Sequence, residues 1–335
     1  MISIYFLEKS ISFNKNNLNT SLIAGSEKTL INISSELAKN KLFKIKVFNK
    51  IENESVIDGV EWCNINNLLK HPKADHVVSM SDMNLFPNYK CKKYLWSHSI
   101  QPIEKFVRKN QLIPYFLHRP KIILEGDYHY KKRSFFTSMF GKEILKICAD
   151  IDFIEKNIDV SKIPEKNVIF NTRPDRNLNI VMDAWKVIKQ NAHDAKLYIN
   201  PHYELSSAER DLDIFVRNKS NKSELINHLC GTKLMINPGH KGEVFCLVAE
   251  EARALCIPIV TLGFGALYER VDHGNTGFIC KNLDDLIVNS IKILNNDDLY
   301  LKFKSNLHKI RQNRTYKDVA SDFLKILDLK NSYDN

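Results

Sequence analysis

Two carboxylates carry the strongest chemical signal in this chain. Glu243 and Glu251 stand eight positions apart in Glu243-Val244-Phe245-Cys246-Leu247-Val248-Ala249-Glu250-Glu251. An ionised carboxylate only accepts hydrogen bonds, so it suits vicinal hydroxyls of a sugar or a ribose. Glu251 lies in an otherwise apolar helical run (Leu247, Val248, Ala252, Leu255), where a charge needs a partner. Glu250 breaks that run on its other side and is expected to be solvated. A lone helical Glu is ordinarily surface. Here a loop precedes the helix, and Ile257-Pro258-Ile259-Val260-Thr261 reads as a buried strand after it. Gly263-Phe264-Gly265 and Gly274-Asn275-Thr276-Gly277 then follow, which together makes a strand–helix–strand unit with its ligand end marked.

A phosphate at such an end needs helix N-terminal amides and a fixed cation. The helix expected to begin near Phe245 supplies the amides. Arg176 supplies the cation, with Arg173 three residues earlier as its alternative, since arginine forks onto phosphate oxygens. Taken alone, either arginine reads equally well as a solvated turn residue. Asp211-Leu212-Asp213 has the letters of a metal-binding acid pair, but in a polar stretch it reads as a chance solvated pair.

These residues need a scaffold, and the apolar spacing supplies one. Ile2–Leu7 reads as a strand, followed by a polar loop to Thr20. Gly25-Ser26-Glu27-Lys28 then opens a helix carrying Leu30, Ile31, Ile33 and Leu37 on one side, and Phe43–Phe48 is the next strand. Asp58–Trp62 reads as short and turn-like. Further strands are expected at Ala74–Met80, Lys92–His98 and Pro120–Leu124. Ser79, His98 and Glu125 sit at or just past strand ends, where open α/β sheets line their ligand crevice. Regular spacing is lost from about Cys148 to Glu165.

A second series starts at Asn167–Asn171, with the Thr172–Asn177 loop and a helix from Leu178 to Ile188. It continues through a strand at Ala195–Ile199, a helix at Asn221–Cys230 and a strand at Thr232–Asn237. Helices at Asp284–Leu294, Asp297–Ile310 and Ala320–Leu327 end the chain. The fold class is therefore α/β with two doubly wound domains, residues 1–150 and 167–315, joined by a linker at 151–166. Residues 316–335 form a terminal helix that crosses back to the N-terminal domain and ends in a frayed tail.

Composition bounds the function. At 335 residues the chain exceeds what one core usually serves, and 44% hydrophobic with 26% charged is ordinary globular composition. No apolar run approaches the roughly 18 residues of a membrane span, and the N-terminus lacks the pattern of a signal peptide. Seven scattered cysteines without a Cys-x-x-Cys pair argue against a disulfide framework or zinc site and fit a reducing cytoplasm. The net charge of +10 admits nucleic acid, an anionic membrane or a phosphate-rich ligand.

The segment Glu243 to Val260 resembles the Glu-x7-Glu motif of family 4 glycosyltransferases, retaining enzymes of the GT-B fold. Glu243, Phe245, Glu251, Ala252, Pro258 and Val260 match; Cys246 and Cys256 stand where glycine is usual, and Arg253 where Met is usual. Arg173-Pro174-Asp175-Arg176-Asn177-Leu178 with Trp185 resembles the family's phosphate loop, with Asn177 in place of glycine. Gly25-Ser26-Glu27, Leu95-Trp96-Ser97-His98 and the stretch from Gly265 through Glu269 to Phe278 resemble further family elements. The likeness covers most of residues 1–310 and is looser from about 100 to 165.

The resemblance implies two Rossmann-like domains facing a central cleft, the first for the acceptor and the second for the nucleotide-sugar. It implies that Glu251 holds the ribose, Glu243 the donor sugar hydroxyls, and Arg176 the leaving diphosphate. Phe245, Cys246 and Leu247 would offer backbone amides, Gly25 and Ser26 would close over phosphates, and His98 would contact the donor sugar. No cofactor or metal is implied, because amides and arginine do the electrostatic work. The expected function is glycosyl transfer from a nucleotide-diphosphate sugar to a carbohydrate or lipid-linked acceptor, with retention, in cell-envelope polysaccharide or lipopolysaccharide synthesis. The alternatives are a sugar-nucleotide epimerase or hydrolase of the same fold, and a non-catalytic basic nucleotide- or nucleic-acid-binding protein, for which no motif is found. Arg108–Arg119 and Tyr128–Phe136 mix basic and aromatic residues, a candidate peripheral contact with an anionic membrane. The expected location is the cytoplasm or the inner face of its membrane.

Overall fold

A computed structural model describes residues 1–18, 23–201, 203–218 and 220–329. The stretch 19–22, part of it in the polar loop expected to reach Thr20, and the tail from 330 expected to fray lie outside the described residues. The chain divides into two compact units, Met1–Cys148 with Arg314–Asn335, and Ala149–Asn313.

The first unit contains β1 (Ile2–Leu7), α1 (Gly25–Ala38), β2 (Phe43–Asn49), β3 (Ser55–Ile57), β4 (Val60–Asn64), β5 (His76–Met80) and β6 (Lys92–Trp96). It continues with α2 (Ile103–Arg108), α3 (Leu112–His118), β7 (Lys121–Leu124), α4 (Asp127–Lys132) and β8 (Lys142–Ile144). The strands form one sheet in the order β3-β4-β2-β1-β5-β6-β7-β8. It is parallel except where β3 pairs antiparallel with β4. Asp58–Trp62 is thus not merely a turn. Asp58 and Gly59 make the turn with positive φ, but Val60, Trp62 and Cys63 are buried and β4 pairs in parallel with β2. The Gly59 signal masked a strand that begins at the next residue.

The second unit runs α5 (Ile151–Ile154), β9 (Asn167–Phe170), α6 (Leu178–Asn191), β10 (Lys196–Ile199), α7 (Ser207–Arg210), β11 (Ile214–Val216) and α8 (Lys222–Cys230). It continues through β12 (Leu234–Ile236), α9 (Leu247–Ala254), β13 (Ile259–Thr261), β14 (Gly277–Ile279), α10 (Leu283–Asn295) and α11 (Asp297–Lys309). Its sheet is parallel in the order β11-β10-β9-β12-β13-β14. The segment expected as linker does not stand apart from this unit: Phe153 and Ile154 are buried in its core with Ala249, Ala252 and Leu255. Their two apolar side chains are too few to show a periodic pattern, yet enough to anchor the segment.

Helix α12 (Tyr316–Ile326) belongs to the first unit. It buries Val319, Ala320, Phe323 and Leu324 on one stripe. Phe323 packs 5.6 Å from Phe6 and 5.9 Å from Trp96 between ring centroids.

Both sheets have a switch point, between β1 and β5 in one and between β9 and β12 in the other. From each, the chain winds outward in both directions, so the loops after the two flanking strands diverge. Ligands of open α/β sheets bind in that gap, at the carboxyl ends.

Candidate active site

In the second unit the two loops at the switch point are those that carry the candidate residues. β9 leads into the Arg173–Asn177 loop, and β12 leads into Asn237–Cys246. Asn177 caps α6 in the left-handed region (φ +67°), which asparagine tolerates better than most residues. Its amide donates to the Gly239 carbonyl at 2.6 Å, tying the two loops together. Gly265, at φ +70°, lies so close to the second loop that a Cβ would stand 2.2 Å from the His240 carbonyl oxygen and 2.8 Å from that of Glu243.

Arg176 donates from Nη1 to His240 Nδ1 at 2.6 Å. The Gly242 amide donates to the same nitrogen at 3.0 Å. Guanidinium has no acceptor, so Nδ1 is unprotonated and the ring hydrogen sits on Nε2. Arg173 is more loosely held: its side chain is 62% exposed and pairs with Asp175 at 3.1 Å, whereas that of Arg176 is 21% exposed.

Glu243 is fixed through its backbone, its amide donating to His240 and its carbonyl accepting from Ala266. Burial pushes its carboxyl above the ordinary 4.5, opposed by a hydrogen bond with Cys246 and by the nearby charges of Arg176, Arg173 and Arg270. One of its oxygens, Oε2, is buried with no hydrogen-bond partner among the described residues. Such an atom costs about 1–3 kcal/mol unless something fills its need, and a ligand hydroxyl is the group that suits it.

Helix α9 begins at Leu247, two residues later than expected, because Cys246 adopts φ +66° and interrupts the helix before it. Leu247 and Val248 thus lead the first turn; the Ala249 and Glu250 amides donate to the Cys246 carbonyl, the two leading amides have no intrahelical acceptor, and no side chain caps the turn. Cys246 and Cys256 both occupy the left-handed region that favours glycine, at a cost of roughly 1–2 kcal/mol each. The Cys246 thiol is buried and accepts from Asn237 Nδ2 at 3.8 Å. The Phe245 carbonyl accepts from Arg270 Nε at 3.0 Å, and its ring lies under that guanidinium at 4.1 Å.

Glu251 is buried on α9. Burial lowers the pKa of Arg217, which follows β11, and the charge of Glu251 opposes that fall. Arg217 also donates to Asn171 Oδ1 at 2.5 Å. Glu250 is not solvated as expected: Arg253 and Arg270 bind it at 3.0 and 3.5 Å. Arg270 is 20 residues away in sequence from Glu250, and no local spacing reveals such a pair. His240, Arg217 and Arg270 join the site only through the fold. For His240 the signal was available, a polar residue just past the end of β12 inside Pro238-Gly239-His240-Lys241-Gly242.

In the first unit, Gly25 and Ser26 open α1, which has no side-chain cap, and Ser26 donates to Glu27 at 2.9 Å. His98 follows β6, its ring centroid 4.9 Å from that of Trp96 and tilted to it by 44°. Its Nδ1 lies 2.5 Å from Glu125 Oε1, and Nε2 is buried without a partner among the described residues. Burial alone lowers the imidazole pKa, but the Glu125 carboxylate, helped by Glu8 and Glu27, raises it overall. Ser79 is no ligand candidate, because it is fully buried and its hydroxyl donates to the Asp82 carbonyl.

Asp213 is taken up by Lys189 at 2.5 Å. One trio of metal-competent side chains occurs among the described residues, Glu54, Cys63 and His71, with ligand atoms within 4.8 Å of one another. Lys46 Nζ lies 2.9 Å from His71 Nδ1, and its charge opposes a cation there. No helix among the described residues is long and apolar enough to cross a membrane.

No curated protein matches the chain. Solved structures share its fold across nearly the whole length. WaaG, a glycosyltransferase involved in lipopolysaccharide biosynthesis, aligns with a TM-score of 0.70 at 13% identity, over 97% of this chain and 99% of that one. Sucrose-phosphate synthase from Thermosynechococcus elongatus gives 0.75 at 10% identity, over 98% of each chain. HepE of Anabaena, in complex with UDP-glucose, gives 0.71 at 14%, over 98% of this chain and all of that one. Residues 154–310 match the family model described as glycosyl transferases group 1, and the two parallel-sheet, Rossmann-like units of the chain have the GT-B fold.

Proposed function

We propose that this protein is a retaining glycosyltransferase that moves a sugar from a nucleoside-diphosphate donor to an acceptor hydroxyl. The observation that carries the reading is the Glu243 carboxylate. It has a buried oxygen without a partner among the described residues, lies near Arg176, Arg173 and Arg270, and stands just before the uncapped turn of α9. An acceptor for sugar hydroxyls beside a cation and free amides for phosphate is what a nucleotide-sugar needs. The group 1 family match over the same unit and the UDP-glucose complex of HepE support it.

In this reading Glu251 accepts from the ribose hydroxyls, while Glu243 orients the donor sugar. Arg176, with Arg173 beside it, and the Leu247 and Val248 amides stabilise the diphosphate as its bond to the anomeric carbon breaks. The fixed cation and amides replace a divalent metal, so chelation should leave turnover unchanged. The acceptor hydroxyl attacks from the face the diphosphate leaves, which retains configuration. The resemblance of Gly25-Ser26-Glu27 and Trp96-Ser97-His98 to family elements suggests phosphate and sugar as the ligands of these first-unit residues. A carbohydrate or lipid-linked acceptor of the cell envelope fits the involvement of WaaG in lipopolysaccharide biosynthesis. The test is a screen of UDP-, GDP- and ADP-sugars by thermal shift, followed by NMR of the product anomer. An inverted product would sink the assignment, and epimerisation of the donor without acceptor would favour an epimerase of the same fold.

A further inference from the structure

The outer edge of the second unit's sheet carries polar atoms that the two glutamates and Arg176 do not explain. Val216 of β11 pairs with Ile199 of β10, and the Arg217 amide donates to the Ile199 carbonyl at 3.0 Å. Asn200 and Arg217 therefore leave the ends of neighbouring strands side by side. Side chains two positions apart share a face of a sheet, and two positions earlier the rings of Tyr198 and Phe215 stack at 5.5 Å. His228 of α8 sets its ring edge-on to Tyr198 at 4.7 Å on that face. Arg217 reaches across β10 to Asn171 at the end of β9. Its charge acts on His228, and that of Glu251 acts on it.

Three atoms of this corner, Asn200 Oδ1, Arg217 Nε and His228 Nε2, are buried with no hydrogen-bond partner among the described residues. Buried polar groups are as a rule paired. Three exceptions from two strand ends and one helix point to a ligand that brings several polar groups on one edge.

The inference rests on the nucleotide-sugar reading of this unit and deepens it. In that reading the diphosphate lies at Arg176 and the start of α9, and the ribose at Glu251, one turn into the helix. A ribose holds its diphosphate and its base at opposite ends. The base therefore continues past Glu251, outward from the switch point, to the carboxyl ends of β10 and β11.

We propose that Asn200 and Arg217 read the nucleobase and select one whose edge sets a carbonyl beside a ring N–H, uracil or guanine, over adenine. Asn200 Oδ1 accepts from the ring N–H, and Arg217 donates to the carbonyl in a charge-assisted bond. Adenine offers an amino group and a ring nitrogen instead. Its amino hydrogens repel a guanidinium, the reason arginine reads guanine and not adenine on nucleic acids. His228 takes the remaining group of the edge, a carbonyl in uracil and an amino group in guanine. Burial, and then the charge of Arg217, lower its pKa, and a neutral imidazole meets either group by its choice of tautomer.

The test is calorimetric titration of the full chain with UDP, GDP and ADP, repeated with Arg217→Met and Asn200→Leu, each checked for a cooperative melting curve. The parent is expected to bind UDP or GDP about tenfold or more tighter than ADP. Arg217→Met should erase that preference, weakening the favoured nucleotide about tenfold while ADP changes by about twofold or less. Asn200→Leu should narrow it in the same way. A merely structural role would weaken all three nucleotides alike. ADP binding as tightly as the other two, equal losses for all three, or an unchanged preference in either variant would overturn the proposal. Should a variant fail to fold, the preference of the parent among the three nucleotides still decides. Binding without discrimination overturns this proposal alone and leaves the glycosyl-transfer reading standing, whereas binding of none of the three overturns both.

Discussion

Arg176 Nη1 stands 2.6 Å from His240 Nδ1, and this bond crosses the switch point of the second sheet. It joins the loop after β9 to the loop after β12, and so fixes the cation relative to Glu243. Arg173, three residues earlier, pairs through its side chain with its neighbour Asp175 and faces solvent.

The two arginines should therefore separate in kinetics. Arg176→Ala is expected to lower kcat by about 100-fold, the scale of losing one preorganised stabiliser of developing charge. Arg173→Ala should lose about tenfold or less, since an exposed and mobile cation is screened. Steady-state rates with saturating donor check this, and equal losses would contradict the assignment of the diphosphate to Arg176.

Glu243 should trade stability for function. Its carboxyl is held above its ordinary value of 4.5 by burial. A carboxyl with a raised folded pKa destabilises the fold once it must ionise. The penalty is absent below 4.5 and complete above the folded value. Glu243→Gln should melt with the parent in acid and above it at neutral pH, while turnover falls by about 100-fold. A Gln variant less stable than the parent at neutral pH would show that the carboxylate is structural.

His98 and Glu125 make the opposite case. The net raised pKa of the imidazole, driven by Glu125 against the effect of burial, means that protonated His98 stabilises the fold. That stability is fully present below 6.5 and is lost as pH rises through the folded value. Glu125→Gln should be most destabilising in acid, with the difference shrinking as pH rises. Denaturant titrations across that range measure it, and a loss independent of pH would rule out the ion pair as its source.

What could be read from the sequence follows from the range of the interactions involved. The strip Leu178, Val181, Trp185, Ile188 announces α6 because helical packing repeats locally, and all four are buried. Glu243 and Glu251 were legible because one helix and its leading loop carry both. Glu250 was misread because its partner Arg270 comes from another loop. β4 was missed because the turn at Asp58-Gly59 hid it, and the anchoring of Phe153 and Ile154 because two residues make no period. The mix of basic and aromatic residues in Arg108–Arg119 and Tyr128–Phe136 marks a surface in the sequence, but only the packing of Tyr115 and Phe136 shows that Leu117 and Phe135 are the apolar residues that face water.

The central claim is that the second unit binds a nucleoside-diphosphate sugar through its two glutamates, and Glu251 tests it most directly. The measurement is calorimetric titration of the parent and of Glu251→Ala with the donor found in the screen, with both proteins shown to melt as folded chains. Losing a charged acceptor for ribose hydroxyls should cost about 2 kcal/mol, or roughly 30-fold in Kd. An unchanged Kd in a folded Glu251→Ala variant would contradict the account.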